Sequence, residues 1–194
     1  MQFLDILFGV ILMFASAHGQ SSDDQMRLRA VAQDYWEAVE AAPRTPIHGE
    51  AGKEASALAL VALAAHESHF WSKVQDCSAC VMGGEFCDHG LSVTAFQLRE
   101  GSGAWGVYTR EQLCESNVLA TERALILLNR HRKAGSTLGL FKGYAHGGRR
   151  QAAKEMDEMY AYAIRKAGII VKFSDNQLWA FWEDGRDPSQ QSKD

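Results

Sequence analysis

The apolar positions of this chain fall into blocks of clearly different pattern. The densest block covers residues 55–71, Ala-Ser-Ala-Leu-Ala-Leu-Val-Ala-Leu-Ala-Ala-His-Glu-Ser-His-Phe-Trp. It is apolar on every side, and Ala and Leu lead the helix propensity scale. A helix without a polar face belongs inside a domain. The block is too short and too rich in Ala for a good membrane span. Its end changes character within one turn, to His66, Glu67, Ser68 and His69 against Phe70 and Trp71. A carboxylate at the end of a buried apolar helix loses solvation. Loss of solvation raises its pKa, as a general acid near neutral pH requires. The structural alternative is a solvated helix end, or Glu67 paired with His66 or His69.

The other blocks are amphipathic or short. Met26, Ala30, Val31, Tyr35, Ala38 and Val39 recur at helical spacing over residues 23–42, and Pro43 stops that helix. Residues 43–49 are a loop, and the buried helix starts within residues 50–53. A long polar stretch, residues 72–90, holds three cysteines and a Gly-Gly pair. Loops of that length are functional or stapled. Residues 91–98 read as a short strand or an irregular lining segment, with a β-hairpin allowed within residues 75–98. Residues 101–106 are a glycine-rich turn. Thr109 and Gln112 have capping-box spacing, so a helix starts at Thr109. It pauses at Ser116 and Asn117 and continues to Arg132 on an apolar face of Ala120, Ala124, Leu127, Leu128 and His131, with Gly135 as its cap. Residues 149–167 are an amphipathic helix stopped by Gly168. A second capping box, Ser174 with Gln177, opens a short Trp-rich helix, and residues 184–194 are a flexible tail. The expected class is mainly α: one helical domain around the central helix ending in Glu67, with a short hairpin or a stapled irregular loop.

Two features change this picture. Residues 1–17 read as a secretory signal peptide, with an apolar run and Ala15-Ser16-Ala17 as a small-x-small cleavage pattern before His18. Asp5 and the absence of Lys or Arg ahead of the run depart from that pattern. An uncleaved anchor, or a start site placed too far downstream, would explain them. With cleavage, no membrane span remains, and the protein is periplasmic or extracellular. In an exported chain the four cysteines, Cys77, Cys80, Cys87 and Cys114, imply two disulfides. Three pairings are open. The first choice is Cys80–Cys114 with Cys77–Cys87. Zinc is the alternative, since Cys77 and Cys80 have ligand spacing, but a second close pair is missing. His66, Glu67 and His69 miss the His-Glu-x-x-His zinc pattern by one position. No metal and no cofactor are expected.

A net charge of −4 gives no case for nucleic acid. The 46% hydrophobic content over 194 residues suffices for one folded domain.

Three segments in order carry a resemblance: residues 65–70 (Ala-His-Glu-Ser-His-Phe), residues 92–98 (Ser-Val-Thr-Ala-Phe-Gln-Leu) and residues 143–148 (Gly-Tyr-Ala-His-Gly-Gly). Together with Asn117 ahead of a helix, they resemble the lysozyme-like lytic transglycosylases and their goose-type lysozyme relatives. The likeness spans residues 50–165. It implies a lysozyme-like catalytic domain over residues 18–183 that acts on peptidoglycan glycan strands. Glu67 would be the single catalytic acid and base, with Ser68 beside it. Gln97 would bond substrate N-acetyl or hydroxyl groups, and Tyr144 and Phe96 would line the groove. Trp71 and Trp105 are further aromatics for sugar stacking. His69 is the histidine nearer the groove. His146 either replaces an Asn of the late motif or is a polar loop residue. Thr94 and Ala145 stand where the family has Gly and Asn. Two alternatives stay open. One is a lysozyme-type hydrolase of the same fold, taking a second acid from Glu85, Asp88 or Glu100. The other is a non-catalytic glycan-binding module.

Overall fold

Gly52 starts the central helix because the chain is crowded there. A Cβ at Gly52 would lie 2.6 Å from the Ile47 carbonyl oxygen. Ser56 closes the same corner: its hydroxyl donates to the Gly52 carbonyl at 2.6 Å and accepts from the Ile47 amide at 3.2 Å. From this start α3 runs Gly52–Ser68, buried without a break from Ala55 to Ala65. The computed structural model describes residues 2–15, 21–47, 51–131, 140–141, 144 and 150–169.

Four helices wrap α3: α1 (Phe3–Phe14), α2 (Ser22–Ala41), α6 (Asn117–His131) and α7 (Arg150–Ala167). Helix α2 is capped by Ser21, whose side chain accepts the Asp24 amide at 3.1 Å. It turns Leu28, Val31, Ala32, Tyr35, Ala38 and Val39 inward. The remaining elements are short. α4 (Ser72–Gln75) follows the central helix, β1 (Ser92–Val93) pairs antiparallel with β2 (Leu98–Arg99), and α5 (Arg110–Glu115) precedes α6. The protein is thus mainly α with one small hairpin. The capping box of Thr109 and Gln112 is formed. Extended backbone at Ser116 separates α5 from α6, and Gly168 ends α7 with φ +65°. The expected second capping box and the tail lie outside the described residues.

Residues 1–17, set aside in the sequence as an export segment, supply α1. Its Leu7, Val10 and Ile11 are buried to 1% exposure or less, and Ala15 follows at 0%. Asp5 meets Arg29 of α2 at 2.9 Å, and the Arg29 guanidinium lies over the Phe8 ring. Phe3 packs on Trp36, and Phe14 on Tyr162 of α7. The acid that disturbs the signal-peptide pattern is therefore the one that ties α1 to α2. Among the described residues, no helix is long and apolar enough to cross a membrane.

Two disulfides form, with the pairing Cys77–Cys114 and Cys80–Cys87. This corrects the first choice from sequence. Cys77 follows directly on α4 and comes within 5.6 Å of Cys114 on α5, measured between Cα atoms. Cys80 turns the other way and shares a small buried cluster with Val74 and Cys87. Arg110 of α5 locks this arrangement by donating to the carbonyls of Gly90 and Cys80. Replacing Cys77 and Cys114 together by Ser should destabilise by about 4 kcal/mol in the chain-entropy model, against about 2–3 kcal/mol for the short Cys80–Cys87 ring. Urea denaturation of both double variants checks the order. A larger loss at Cys80–Cys87 overturns it.

Arg123 of α6 fixes the glycine-rich turn. Its Nε donates to the Ala104 carbonyl at 2.8 Å and its Nη2 to Gly103 at 3.0 Å. Gly106, at φ +65°, leaves the room this guanidinium fills, since a Cβ there would sit 2.5 Å from Arg123 Cζ.

Candidate active site

The central helix ends on backbone that side chains seldom adopt. His69 and Phe70 have φ of 51° and 56°, and glycine usually takes such a position. Two contacts hold it. The Phe70 ring is fully buried. Arg27 of α2 donates from Nη2 to the Phe70 carbonyl at 3.1 Å and from Nη1 to Gln75 at 2.6 Å. Glu67 is thereby set in the last turn of a rigid helix, its side chain 24% exposed. It is half-buried, reachable from solvent and backed by the core. Ser68 faces the other way, and its hydroxyl donates to the Ala64 carbonyl at 2.9 Å. His69 is exposed.

Tyr144 lies across from this helix end. Its hydroxyl donates to the Phe96 carbonyl at 2.5 Å. Burial, then the negative charge of Glu67, then Tyr35 push this hydroxyl well above the ordinary phenol range. The chain therefore brings Glu67, Tyr144 and the Phe96 main chain into one neighbourhood from widely separated positions. The Phe96 ring itself is 1% exposed and packs against Tyr35 with ring centroids 5.2 Å apart. It is a core group, and only its carbonyl serves the site. Gln97 is half-buried in the hairpin turn at φ 50°. Its amide donates to the Thr94 carbonyl at 3.2 Å and approaches Cys87 sulfur. Thr94 belongs to the same turn, and Cys87 to the disulfide loop before it. The Asn117 amide donates to Asp34 of α2 at 3.1 Å and ties α6 to α2. His146 lies outside the described residues.

The aromatics divide similarly. Trp105 donates its indole N–H to the Leu98 carbonyl at 2.7 Å. Trp71 is half-buried and meets the exposed Phe86 edge to face, with centroids 5.0 Å apart. Glu85, Asp88 and Glu100 are all exposed, and Asp88 pairs with Arg99 at 3.2 Å.

The pairing of Glu67 with His66 was one of the readings open in the sequence; the contact of His66 with Glu155 was not legible there. His66 has Glu67 Oε1 at 3.5 Å from Nδ1 and Glu155 Oε2 of α7 at 3.3 Å from Nε2. Glu155 in turn accepts the Gln151 amide at 2.8 Å. Adjacent helical residues diverge by about 100°, so the contact between His66 and Glu67 is oblique and long. Contact with Glu67 raises the His66 pKa above the ordinary imidazole range; burial opposes this, and Glu155 adds to it. The Gln151 amide, and then His66, hold the Glu155 carboxyl below the usual range. Glu155 stands 89 positions from His66, and no local motif announces it.

Among the described residues, no group of three or more His, Cys, Asp or Glu side chains is placed to hold a metal ion. A cleft of about 260 Å³ opens elsewhere, between Arg27, Gln75, Asp76, Glu115 and Asn117. The arrangement around Glu67 is suited to proton transfer: a half-buried carboxylate, an imidazole beside it and a partly buried phenol nearby. No family model, curated protein or solved structure matches the chain.

Proposed function

We propose that this protein is a lytic transglycosylase that cleaves the β-1,4 bond between MurNAc and GlcNAc in peptidoglycan, with Glu67 as its one acid and base. The observation that supports this most is the setting of Glu67, half-buried at the end of the buried helix with the Tyr144 hydroxyl and Phe96 carbonyl nearby. In the first step Glu67 gives its proton to the glycosidic oxygen, and the bond from that oxygen to the MurNAc C1 breaks. In the second, the C6 hydroxyl of the same MurNAc attacks C1 and returns its proton to Glu67. A 1,6-anhydro ring closes and no water is consumed. One carboxylate then serves both steps, whereas most glycosidases require two. The exposed positions of Glu85, Asp88 and Glu100, with Asp88 engaged by Arg99, favour the single-acid scheme. A hydroxyl held against the reacting carbon also outcompetes a passing water through its effective concentration. The two disulfides suit an oxidising compartment, and we place the enzyme in the periplasm or outside the cell.

Digestion of purified cell walls followed by mass spectrometry tests the reading. The expected fragments end in 1,6-anhydroMurNAc, lighter by one water than hydrolysis products, and the amide variants of Glu85, Asp88 and Glu100 each keep most activity. Fragments at the hydrated mass, with one of those acids indispensable, establish a muramidase instead. Binding without cleavage establishes a glycan-binding module.

A further inference from the structure

We infer that the cleft between Arg27, Gln75, Asp76, Glu115 and Asn117 binds the free amino terminus of a peptide, through its ammonium group and its first amide. At about 260 Å³ the cleft is small beside most ligand pockets, which start near about 300 Å³, so it takes the end of a chain and not a long segment. Two side-chain amides line it, and each has one half engaged by the protein. Gln75, at the end of α4, is only 6% exposed. Its Oε1 accepts Arg27 Nη1 at 2.6 Å. A guanidinium has no acceptor, so this bond fixes which way the Gln75 amide points. The Gln75 Nε2 donors are left for the cleft, and no side chain or carbonyl among the described residues takes them. Asn117, at the start of α6, donates from Nδ2 to Asp34 at 3.1 Å, which leaves its Oδ1 as an acceptor. One cleft thus offers an amide donor and an amide acceptor from two different elements. A peptide group answers both, its carbonyl accepting from Gln75 and its N–H donating to Asn117.

Charge selects the amino end of the peptide. The charged residues lining the cleft are Arg27, Asp76 and Glu115. Asp76 and Glu115 are exposed, and among the described residues neither forms an ion pair. Two further carboxylates touch the lining: Asp24 lies 3.9 Å from Arg27, and Asp34 holds Asn117. The single guanidinium is already engaged, by Gln75 through Nη1 and by the Phe70 carbonyl through Nη2, and its Nε is buried. A ligand carboxylate would meet an excess of negative charge and a spent cation. An ammonium group finds two free carboxylates. Capture of a terminal amine is a recurring mode of peptide recognition. The amide pair is also held in place: Cys77, two residues after Gln75, is bonded to Cys114 of the lining. Glu67 takes no part, so this inference stands or falls apart from glycan cleavage.

The test is an NMR titration of the full, isotope-labelled chain that follows the side-chain amide signals of Gln75 and Asn117. It is run at about pH 6, where an α-amino group, with pKa about 7.7–8.0, is charged. Three probes are added separately: alanyl-alaninamide, its N-acetylated form, and acetate. Alanyl-alaninamide should shift both side-chain signals in a saturable way. Acetylation removes the ammonium group and keeps the amides, and should weaken binding by about tenfold or more, the scale of a hydrogen bond to a charged group. The double variant Asp76→Asn with Glu115→Gln should weaken the unacetylated peptide by a similar factor. Both positions are exposed, so that variant keeps the fold, and a thermal melt confirms it. Gln75 and Asn117 signals that stay in place up to about 10 mM peptide, tenfold above a dissociation constant of about 1 mM, overturn the site. Equal affinity for the acetylated and free peptides, or for wild type and the double variant, overturns the capture of an amino terminus. Shifts of the two amides by acetate alone establish a carboxylate site on Arg27 and overturn it equally.

Discussion

Replacing Glu67 with Gln should leave the fold intact and lower glycan cleavage by about 10²-fold or more, the scale of an acid–base group. Gln has the volume and reach of Glu but no proton to transfer. Because the Glu67 side chain is about one-quarter exposed, with 24% of its surface in solvent, the change opens no cavity. The helix beneath it is set by Ala and Leu packing and by the clamp of Arg27 on Phe70, and neither involves the carboxylate. Turnover of labelled cell walls, beside a thermal melt of the same preparation, reads both quantities. A folded variant that keeps most of its activity removes Glu67 from the chemistry.

Beginning the chain at residue 18 should destabilise the domain by about 5–9 kcal/mol, taking about 1.5–3 kcal/mol for each fully buried Val, Leu or Ile. The three such residues are Leu7, Val10 and Ile11. Their loss also uncovers the faces of α2, α3 and α7 on which α1 lies. Total stabilities run to about 5–15 kcal/mol, so the shortened chain should be unfolded or close to it at room temperature. Urea denaturation of the two chains provides the comparison. Matching midpoints would mean that α1 is dispensable, as a removable leader is. Asp5→Asn gives a milder control. It breaks an ion pair whose two side chains are 46% and 57% exposed, and such surface pairs contribute about 1 kcal/mol or less.

What the sequence makes legible is whatever a single segment decides. The Ala and Leu run reads as a buried helix because no polar face exists to expose. Thr109 with Gln112 reads as a helix start because both partners of the capping box lie within one turn. Gly168 reads as a stop because glycine alone takes φ +65° freely. Choices between near-equal neighbours are hidden. Cys77 and Cys80 are three positions apart, and which one meets Cys114 depends on the turn that follows α4. Phe96 is hidden too: strands of two residues each, Ser92–Val93 and Leu98–Arg99, carry too little alternation to tell an inward ring from an outward one. The place of Glu67 in the last turn of the buried helix was legible from the Ala and Leu run before it. The bridge from His66 to Glu155 was not, because a contact between two helices far apart in sequence leaves no local period. The segment that forms α1 suits two readings by composition, since an apolar run fits both an export signal and a core helix.

The Cys77–Cys114 bond closes a ring around the part of the chain that invites proteases. Val81, Met82 and Phe86 stand 61%, 63% and 47% exposed within it, and exposed loop tips are where nicking concentrates. A cut anywhere between the two cysteines severs the backbone without separating the pieces. The helix that bears Glu67 and the helices that follow the ring stay joined through sulfur. Between Val81 and Phe86 the protection is doubled, because Cys80–Cys87 spans the same bonds. A nicked molecule would therefore run as one band without reductant and as two with it.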